Sequence, residues 1–221
     1  MQITTDMQDI VEKNNILCLD ISTKSTGYAI AKNSEVVDYG MLKSEEKDPL
    51  VRIKVMYEFI YGLVKDNNID LIVAEDVPIS DRSNLKVGKD LCLLQGCLLS
   101  IGFKENIGIL LLHPTEWREK IDMLVTVYGC KKCEHIFGGK SGADVKCEKC
   151  GNDKQRDFTR TPQNLRAQLK QRAVGVANEK FGLDLFFKHS SKKNEDDIAE
   201  ALCLFLGYKE LKKWQERRSK K

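Results

Sequence analysis

Four of the eight cysteines form two short pairs whose spacing is typical of a structural metal site. Cys130 and Cys133 form CKKC, Cys147 and Cys150 form CEKC, and 13 residues separate the pairs. Two such pairs can place four thiolates at the corners of a tetrahedron, the geometry of structural Zn²⁺. Disulfides are disfavoured in a reducing compartment, and a redox CxxC would need neither the second pair nor the spacer. The spacing therefore predicts a zinc site made by these four cysteines.

The second group of residues that could take part in chemistry is an acidic run at the start of an apolar segment, NEDDIAEALCLFLGY. Asn194 can cap a helix over 195–209, and the three acids that follow it oppose the positive end of the helix dipole. Those three acids therefore have a structural explanation. Glu200, one turn later, does not.

A helical projection of this segment separates its acids. At 100° per residue, the predicted buried stripe consists of Ile198, Ala201, Leu202 and Phe205. Asp197 and Glu200, spaced i to i+3, fall on one flank of that stripe, whereas Asp196 points further toward solvent. We therefore expect Asp197 and Glu200 to reach a site at the edge of a sheet, and Asp196 to be a surface charge.

Two further acids end apolar runs earlier in the chain. Asp20 follows ILCL and Glu75 ends DLIVAE, so each is predicted at the carboxyl end of a strand, where α/β sheets present ligands. A structural role suffices for either acid alone. Four carboxylates converging in one cleft would repel one another strongly, and two hard divalent cations would relieve that repulsion. Asp20, Glu75, Asp197 and Glu200 therefore predict a two-metal site for Mg²⁺, with Mn²⁺ as the alternative, of the kind that hydrolyses phosphodiesters.

The elements that must position these residues alternate between short apolar runs and segments of helical period. ILCL, GYAIAK and EVVDYGML predict a three-stranded meander, and DLIVAEDV and IGILLL predict two more strands. LVRIKVMYEFIYGLVKD and SNLKVGKDLCLLQGCLLSIG carry apolar residues at helical spacing. The alternation predicts an α/β fold with a mixed sheet flanked by helices.

One segment, 124–157, interrupts this alternation. It is rich in Gly, Lys and Cys, and a piece this short would need a metal to supply its folding energy. We therefore predict a small inserted zinc ribbon at 124–157, and one domain built from 1–123 and 158–221.

Composition limits the classes of protein that need to be considered. A chain of 221 residues with 42% hydrophobic and 31% charged residues can bury one sizeable core. The formal net charge of +3 is too small to indicate a nucleic-acid partner by itself. No apolar stretch has membrane-spanning length and the polar N-terminal segment lacks signal-peptide features, so we expect a cytoplasmic protein without membrane contact.

Four segments resemble, in order, the motifs of the RuvC Holliday-junction resolvases. ILCLDISTKSTGYAI resembles the first motif, and IVAEDV the second, followed by the similar helix SNLKVGKDLCLLQG. HPTEWREKI resembles the segment in which a basic residue follows a proline, and DIAEALCL the last motif, with two acids three residues apart. The similarity runs from about residue 15 to residue 208, with the ribbon as an interruption.

The resemblance implies a ribonuclease H-like fold, a homodimer, and Mg²⁺-dependent symmetric nicking of four-way DNA junctions. The metal-binding acids of the family match Asp20, Glu75, Asp197 and Glu200. Arg118 and Lys170 lie near the family's basic DNA-contacting positions, and exposed helix charges are the alternative interpretation of both.

The chain departs from the bacterial resolvases at three places. Glu200 stands where an aspartate is usual, so the side chain is longer at this position. The ribbon is absent from the bacterial form. DVPISDRS, which begins at Asp76, has no aromatic residue where the family places a junction-probing one. The compact sequence is more similar to RuvC-like resolvases of bacteriophages, whose location would be the host-cell cytoplasm. We expect the protein to cleave other branched DNA besides four-way junctions. We expect the ribbon to contact DNA or the second subunit.

Two other functional classes remain open at this stage. LDISTKSTG also resembles the first phosphate loop of the actin and sugar-kinase fold, but an ATP phosphotransferase would need a duplicated domain and a second Gly-rich loop. The other class is a non-catalytic nucleic-acid-binding module, in which the ribbon binds and the acids are structural.

Purified protein should contain about one Zn²⁺ per chain, because four thiolates complete the coordination of this ion. Elemental analysis beside a thiol titration would test this expectation. Zinc-free protein with four reactive ribbon thiols would contradict it.

Overall fold

The computed structural model describes residues 3–4, 13–77, 85–140, 145–162, 166–188, 191 and 193–219. Its centre is a six-stranded mixed sheet, with the strands β1 (Ile3–Thr4), β2 (Asn15–Asp20), β3 (Ser25–Lys32), β4 (Glu35–Lys43), β5 (Leu71–Glu75) and β6 (Gly108–Leu112). Their order across the sheet is β1-β6-β5-β2-β3-β4.

The direction of the strands brings two of the predicted acids to one edge of the sheet. β2, β3 and β4 form the predicted antiparallel meander, whereas β5 and β6 run parallel to β2. β2 and β5 are neighbours, with Leu19 opposite Ala74, so the residues that follow them in the chain emerge side by side. Asp20 and Glu75 therefore lie at the carboxyl ends of adjacent parallel strands.

Helices cover both faces of this sheet, which confirms the predicted α/β arrangement. They are α1 (Pro49–Asn67), α2 (Leu85–Glu105), α3 (Pro114–Lys120), α4 (Arg166–Phe181) and α5 (Asp196–Ser219). α1 and α2 pack on one face through an apolar core that includes Met56 and Leu98. α3, α4 and α5 cover the other face, around Trp117, Ala177 and Leu202. Among the described residues, no helix has both the length and the apolarity needed to cross a membrane.

The inserted segment forms a separate three-stranded antiparallel sheet. Its strands are β7 (Val125–Cys130), β8 (Ile136–Lys140) and β9 (Phe158–Pro162), with β7 in the centre. Because β9 pairs with β7 from Cys130↔Phe158 to Thr126↔Pro162, the paired strands extend through 162, beyond the boundary predicted at 157. Residues 158–162 contain few apolar residues, so the sequence did not predict that they form the last strand of the ribbon sheet.

The last helix begins one residue later than predicted. Asp196 is its first residue, and the backbone N–H of Ala199 donates to the carbonyl of Glu195. Asn194 was predicted as the cap, but its side-chain oxygen accepts a hydrogen bond from the backbone N–H of Lys188 at 2.9 Å. Asn194 therefore fixes the preceding loop, and its role as helix cap was a wrong prediction.

A glycine in β3 sets how closely α5 approaches the sheet. A Cβ atom on Gly27 would lie 1.9 Å from the backbone carbonyl oxygen of Asp197. No side chain fits in that space, so Gly27 lets the first turn of α5 rest directly on the strand. The backbone contact places Asp197 at the same edge as Asp20.

Gly27→Ala should therefore destabilise the protein by about 1–3 kcal/mol, the usual cost of overpacking, because α5 must move away from β3. Gly62→Ala in α1 is the matched control, since a Cβ there meets no atom within 4 Å. Urea unfolding of both variants measures the difference. Equal stability of the two variants would contradict the close contact.

Candidate active site

The four predicted acids converge at the carboxyl edge of the sheet. Carboxylate oxygens of Asp20, Asp197 and Glu200 all lie within 4.8 Å of one another. Glu75, at the end of the neighbouring strand, joins this group through a shared arginine. The fold thus brings together side chains that lie up to 180 positions apart in the chain.

Two cationic side chains connect these acids. Arg118 in α3 donates from one nitrogen, Nη2, to Glu75 Oε2 at 2.8 Å and to Glu200 Oε1 at 3.3 Å. Lys170 in α4 contacts Asp196, and its Nζ lies 3.3 Å from Asp197 Oδ1 and 3.6 Å from Glu200 Oε2. Arg118 and Lys170, predicted as DNA contacts, thus lie within the acidic cluster.

Asp196 is placed differently from its prediction as a surface charge. Its exposed fraction is 5%, and Lys170 donates a hydrogen bond to its Oδ2 atom. The reason is tertiary, because α4 packs along α5 and covers the side of the first turn that a helical projection leaves facing solvent. The prediction for Asp196 was therefore wrong, and a fifth carboxylate lies beside the cluster.

Burial and mutual repulsion raise the pKa values of these carboxyl groups. The pKa of Asp20 is raised well above its usual value by burial, and further by the charges of Glu200, Asp197 and Glu75. Burial raises the pKa of Glu75 to about 7, although Arg118 and Trp117 both favour its charged form. The pKa of Glu200 is also raised, mainly by burial. Keeping these groups ionised at neutral pH therefore requires more positive charge than the two side chains supply.

Some of the carboxylate oxygens have no donor within the described residues. Trp117 Nε1 and Arg118 both bind Oε2 of Glu75, at 3.1 and 2.8 Å, while its Oε1 accepts no hydrogen bond from this part of the chain. The carboxylate of Asp20 likewise accepts none from the residues described. Carboxylate oxygens gathered within 4.8 Å, as those of Asp20, Asp197 and Glu200 are, fit a hard divalent cation.

Two further contacts at this site were missed by sequence analysis. Trp117 lies inside HPTEWREKI and orients Glu75 through its indole N–H. Ser25, the first residue of β3, donates a hydrogen bond from its hydroxyl to Asp197 Oδ2. In the sequence, the available signal for Trp117 was a tryptophan shortly after the predicted inner strand IGILLL. No feature of the sequence pointed to Ser25.

The four predicted zinc ligands also come together. Their sulfur atoms lie within 4.8 Å of one another, with Cys130 Sγ 3.7 Å from Cys150 Sγ and Cys133 Sγ 3.5 Å from Cys147 Sγ. Each close contact joins one cysteine of CKKC to one of CEKC, so the two knuckles face each other. The sulfur set and its closeness fit a tetrahedral thiolate site.

Part of the second motif lies outside the described residues. These are positions 78–84, which include most of DVPISDRS. The expectation drawn from this segment, that the protein also accepts other branched DNA, therefore remains a prediction.

No protein-family profile and no curated protein matches this sequence significantly. Solved structures do match. Thermus thermophilus RuvC in complex with a Holliday junction substrate gives a TM-score of 0.56 at 9% identity, covering 91% of this chain and 96% of that chain. The chain has the fold of the RuvC-like resolvases. A second Thermus thermophilus RuvC structure gives 0.54 at 10% identity, with the same coverage.

The match extends to a eukaryotic resolvase. The yeast mitochondrial Holliday junction resolvase Ydc2 gives a TM-score of 0.53 at 13% identity, covering 96% of this chain and 85% of that chain. The predicted ribonuclease H-like, RuvC-like fold is therefore confirmed.

Proposed function

We propose that this protein is a structure-selective endodeoxyribonuclease that cleaves four-way and other branched DNA by metal-dependent hydrolysis of a phosphodiester. The observation that carries the proposal is the convergence of Asp20, Glu75, Asp197 and Glu200 at the carboxyl edge of a resolvase-type sheet. The solved structures that match include RuvC in complex with a Holliday junction substrate and the yeast mitochondrial Holliday junction resolvase Ydc2.

The acids would hold two Mg²⁺ ions, or Mn²⁺ as the alternative. Such a pair supplies an activated water and stabilises the leaving oxygen of the phosphodiester. The chain's own contribution is to orient the acids: Trp117 and Arg118 bind one oxygen of Glu75 and leave the other for a metal, and Ser25 orients Asp197.

A cleft beside the acids gives DNA access to them. It has a volume of about 790 Å³, and its walls carry the cationic side chains of Arg52, Arg118, Arg166 and Lys170. A phosphate group in this cleft would meet guanidinium and ammonium groups at its walls and carboxylates at its base. We propose that Arg118 and Lys170 contact the DNA backbone as well as the acids, which would make binding depend on salt.

The cysteine cluster supports a structural role for Zn²⁺. In the described part of the ribbon the apolar core is small, with Tyr128, Val145 and Phe158 as its buried members besides cysteines. A core of this size needs a further source of folding energy, which a thiolate-bound metal would supply.

The alternative functions account for fewer of the observations. An ATP phosphotransferase of the actin type would need a second copy of the domain, and the described residues contain one six-stranded sheet and the ribbon sheet. A purely binding module would have no use for a buried, mutually repelling set of carboxylates, whose ionisation costs stability.

We also propose that the protein acts as a homodimer through the outer face of α2. Exposed residues along that face are Cys92, Leu93, Gly96, Ser100 and Phe103. Small residues in the centre would allow close approach of a second helix, and Leu93 and Phe103 would be covered. Two active sites related by a two-fold axis would suit two symmetric cuts in a four-way junction.

Glu75→Gln should reduce cleavage of a four-way DNA junction in Mg²⁺ by at least about 100-fold, since even groups that only orient metal ligands contribute about 10–100-fold. The assay compares junction, flap, duplex and single-stranded substrates, each with Mg²⁺ or EDTA. Cleavage that persists in EDTA or in the variant would refute the mechanism. Binding by wild type without any cleavage would favour the non-catalytic module.

Gly96→Glu should convert the dimer into a monomer, because it places a charge at the centre of the proposed interface. A Cβ at Gly96 meets no atom within 4 Å, so the subunit itself should fold normally. Gly175→Glu in α4, equally unobstructed and on the opposite face of the sheet, is the control. Sedimentation velocity measures both. A Gly96→Glu variant that remains dimeric would exclude this face.

A further inference from the structure

A second cavity adjoins the acidic cluster on the side away from Glu75. It has a volume of about 480 Å³, within the range of about 300–1,000 Å³ typical of ligand pockets. Its lining includes Lys43, Arg166, Phe187, Ser191 and Asn194, and we call it the side cavity. The proposed mechanism assigns it no role.

The side cavity and the DNA cleft share a wall. Ser25, Arg166, Lys170 and Asp197 line both spaces. A strand whose scissile phosphate lies at the acids would therefore have its adjoining nucleotide at the mouth of the side cavity.

The charges of the side cavity suit a phosphate group. Arg166, the exposed first residue of α4, forms no ion pair with any described residue. Lys43, at the end of β4, is also exposed and lines the same cavity, where its Nζ donates to the backbone oxygen of Asn194 at 3.4 Å. The acids that line the side cavity, Asp196 and Asp197, both contact Lys170, so anion binding is favoured at the other two cationic side chains, Lys43 and Arg166.

An aromatic side chain completes the set. Phe187 lines the side cavity and is partly buried against the core beneath α5, so its ring is anchored on one side. Its neighbour Phe186 is 46% exposed and does not line the side cavity. Cationic groups that bind the backbone beside an aromatic ring on which a base stacks are the usual arrangement for an unpaired nucleotide.

We infer that the side cavity binds the nucleotide adjoining the scissile phosphate, with its base against Phe187 and its other phosphate at Lys43 and Arg166. This inference rests on the proposed nuclease function. It assigns the enzyme a preference for substrates in which that nucleotide can leave the duplex stack, as it can at a branch point.

The experiment measures binding of a fluorescein-labelled four-way junction in Mg²⁺, in a Glu75→Gln background that prevents cleavage. Phe187→Leu keeps the apolar packing but removes the stacking ring, and should weaken binding by about fivefold or more, the lower end of the range for a base on an aromatic ring. Phe186→Leu, the adjacent exposed aromatic residue outside the side cavity, should bind like the parent.

Charge is tested in the same background. Lys43→Gln should make the dependence of log affinity on log salt shallower by about one unit, as expected for loss of one phosphate contact. Lys54→Gln is the matched control, because Lys54 lies on α1 at the other face of the sheet with a side chain that is 72% exposed.

A substrate change separates stacking from a merely structural effect of Phe187. Wild-type protein first maps the cut, and abasic nucleotides are then placed singly on each side of it. At one of these positions the abasic junction should bind the parent as weakly as the normal junction binds Phe187→Leu, with no further loss when the two changes are combined.

The outcomes distinguish failure of the proposed nuclease function from failure of the side cavity as a nucleotide site. If wild-type protein neither binds nor cuts branched DNA, the proposed function itself fails. If it does both, but Phe187→Leu matches Phe186→Leu, or its loss adds fully to that of each abasic site, the side cavity is not a nucleotide site.

Discussion

Repulsion among carboxylates at one edge of the sheet is the constraint on which the other features of this site depend. Two unit charges within 4.8 Å, as in this cluster, repel by about 3 kcal/mol or more at an effective dielectric constant of about 20. That is a large share of the roughly 5–15 kcal/mol by which a domain is stable. The fold therefore has to hold the acids together by means that do not depend on their own interactions. The paired strands β2 and β5 do this for Asp20 and Glu75, and the contact of α5 with Gly27 does it for Asp197.

The acids themselves could be predicted because they follow from short-range rules. Asp20 and Glu75 each end an apolar run, and Asp197 and Glu200 have the i, i+3 spacing that places two side chains on one flank of a helix. The buried stripe behind them was also predicted correctly, from Ile198 to Phe205. These regularities depend on the period of a strand or a helix, and the period is visible in the sequence alone.

What could not be predicted depends on the neighbours that tertiary packing supplies. Asp196 looks exposed on an isolated helix and is buried only because α4 lies beside it with Lys170. Asn194 is a residue type that commonly caps helices, yet its side-chain oxygen accepts a hydrogen bond from the backbone N–H of Lys188 in the loop before α5. The ribbon's last strand was missed for the same reason, since the paired residues of β7 and β9 are 28 to 36 positions apart. The errors at Asp196 and at the ribbon strand lie where a long-range contact overrides a local preference, whereas Asn194 binds a residue of its own loop, six positions earlier.

The charge balance of the site connects its acids to the kind of substrate it can accept. Five carboxylates, from Asp20, Glu75, Asp196, Asp197 and Glu200, are matched by the two cations Arg118 and Lys170, so three negative charges remain when all are ionised. Two divalent cations would turn this deficit into a single positive charge. An internal phosphodiester carries one negative charge and would neutralise it, whereas a terminal phosphate, with up to two, would not. With the two metal ions of the proposed function, the charge of these seven side chains would suit an internal phosphodiester better than a terminal phosphate.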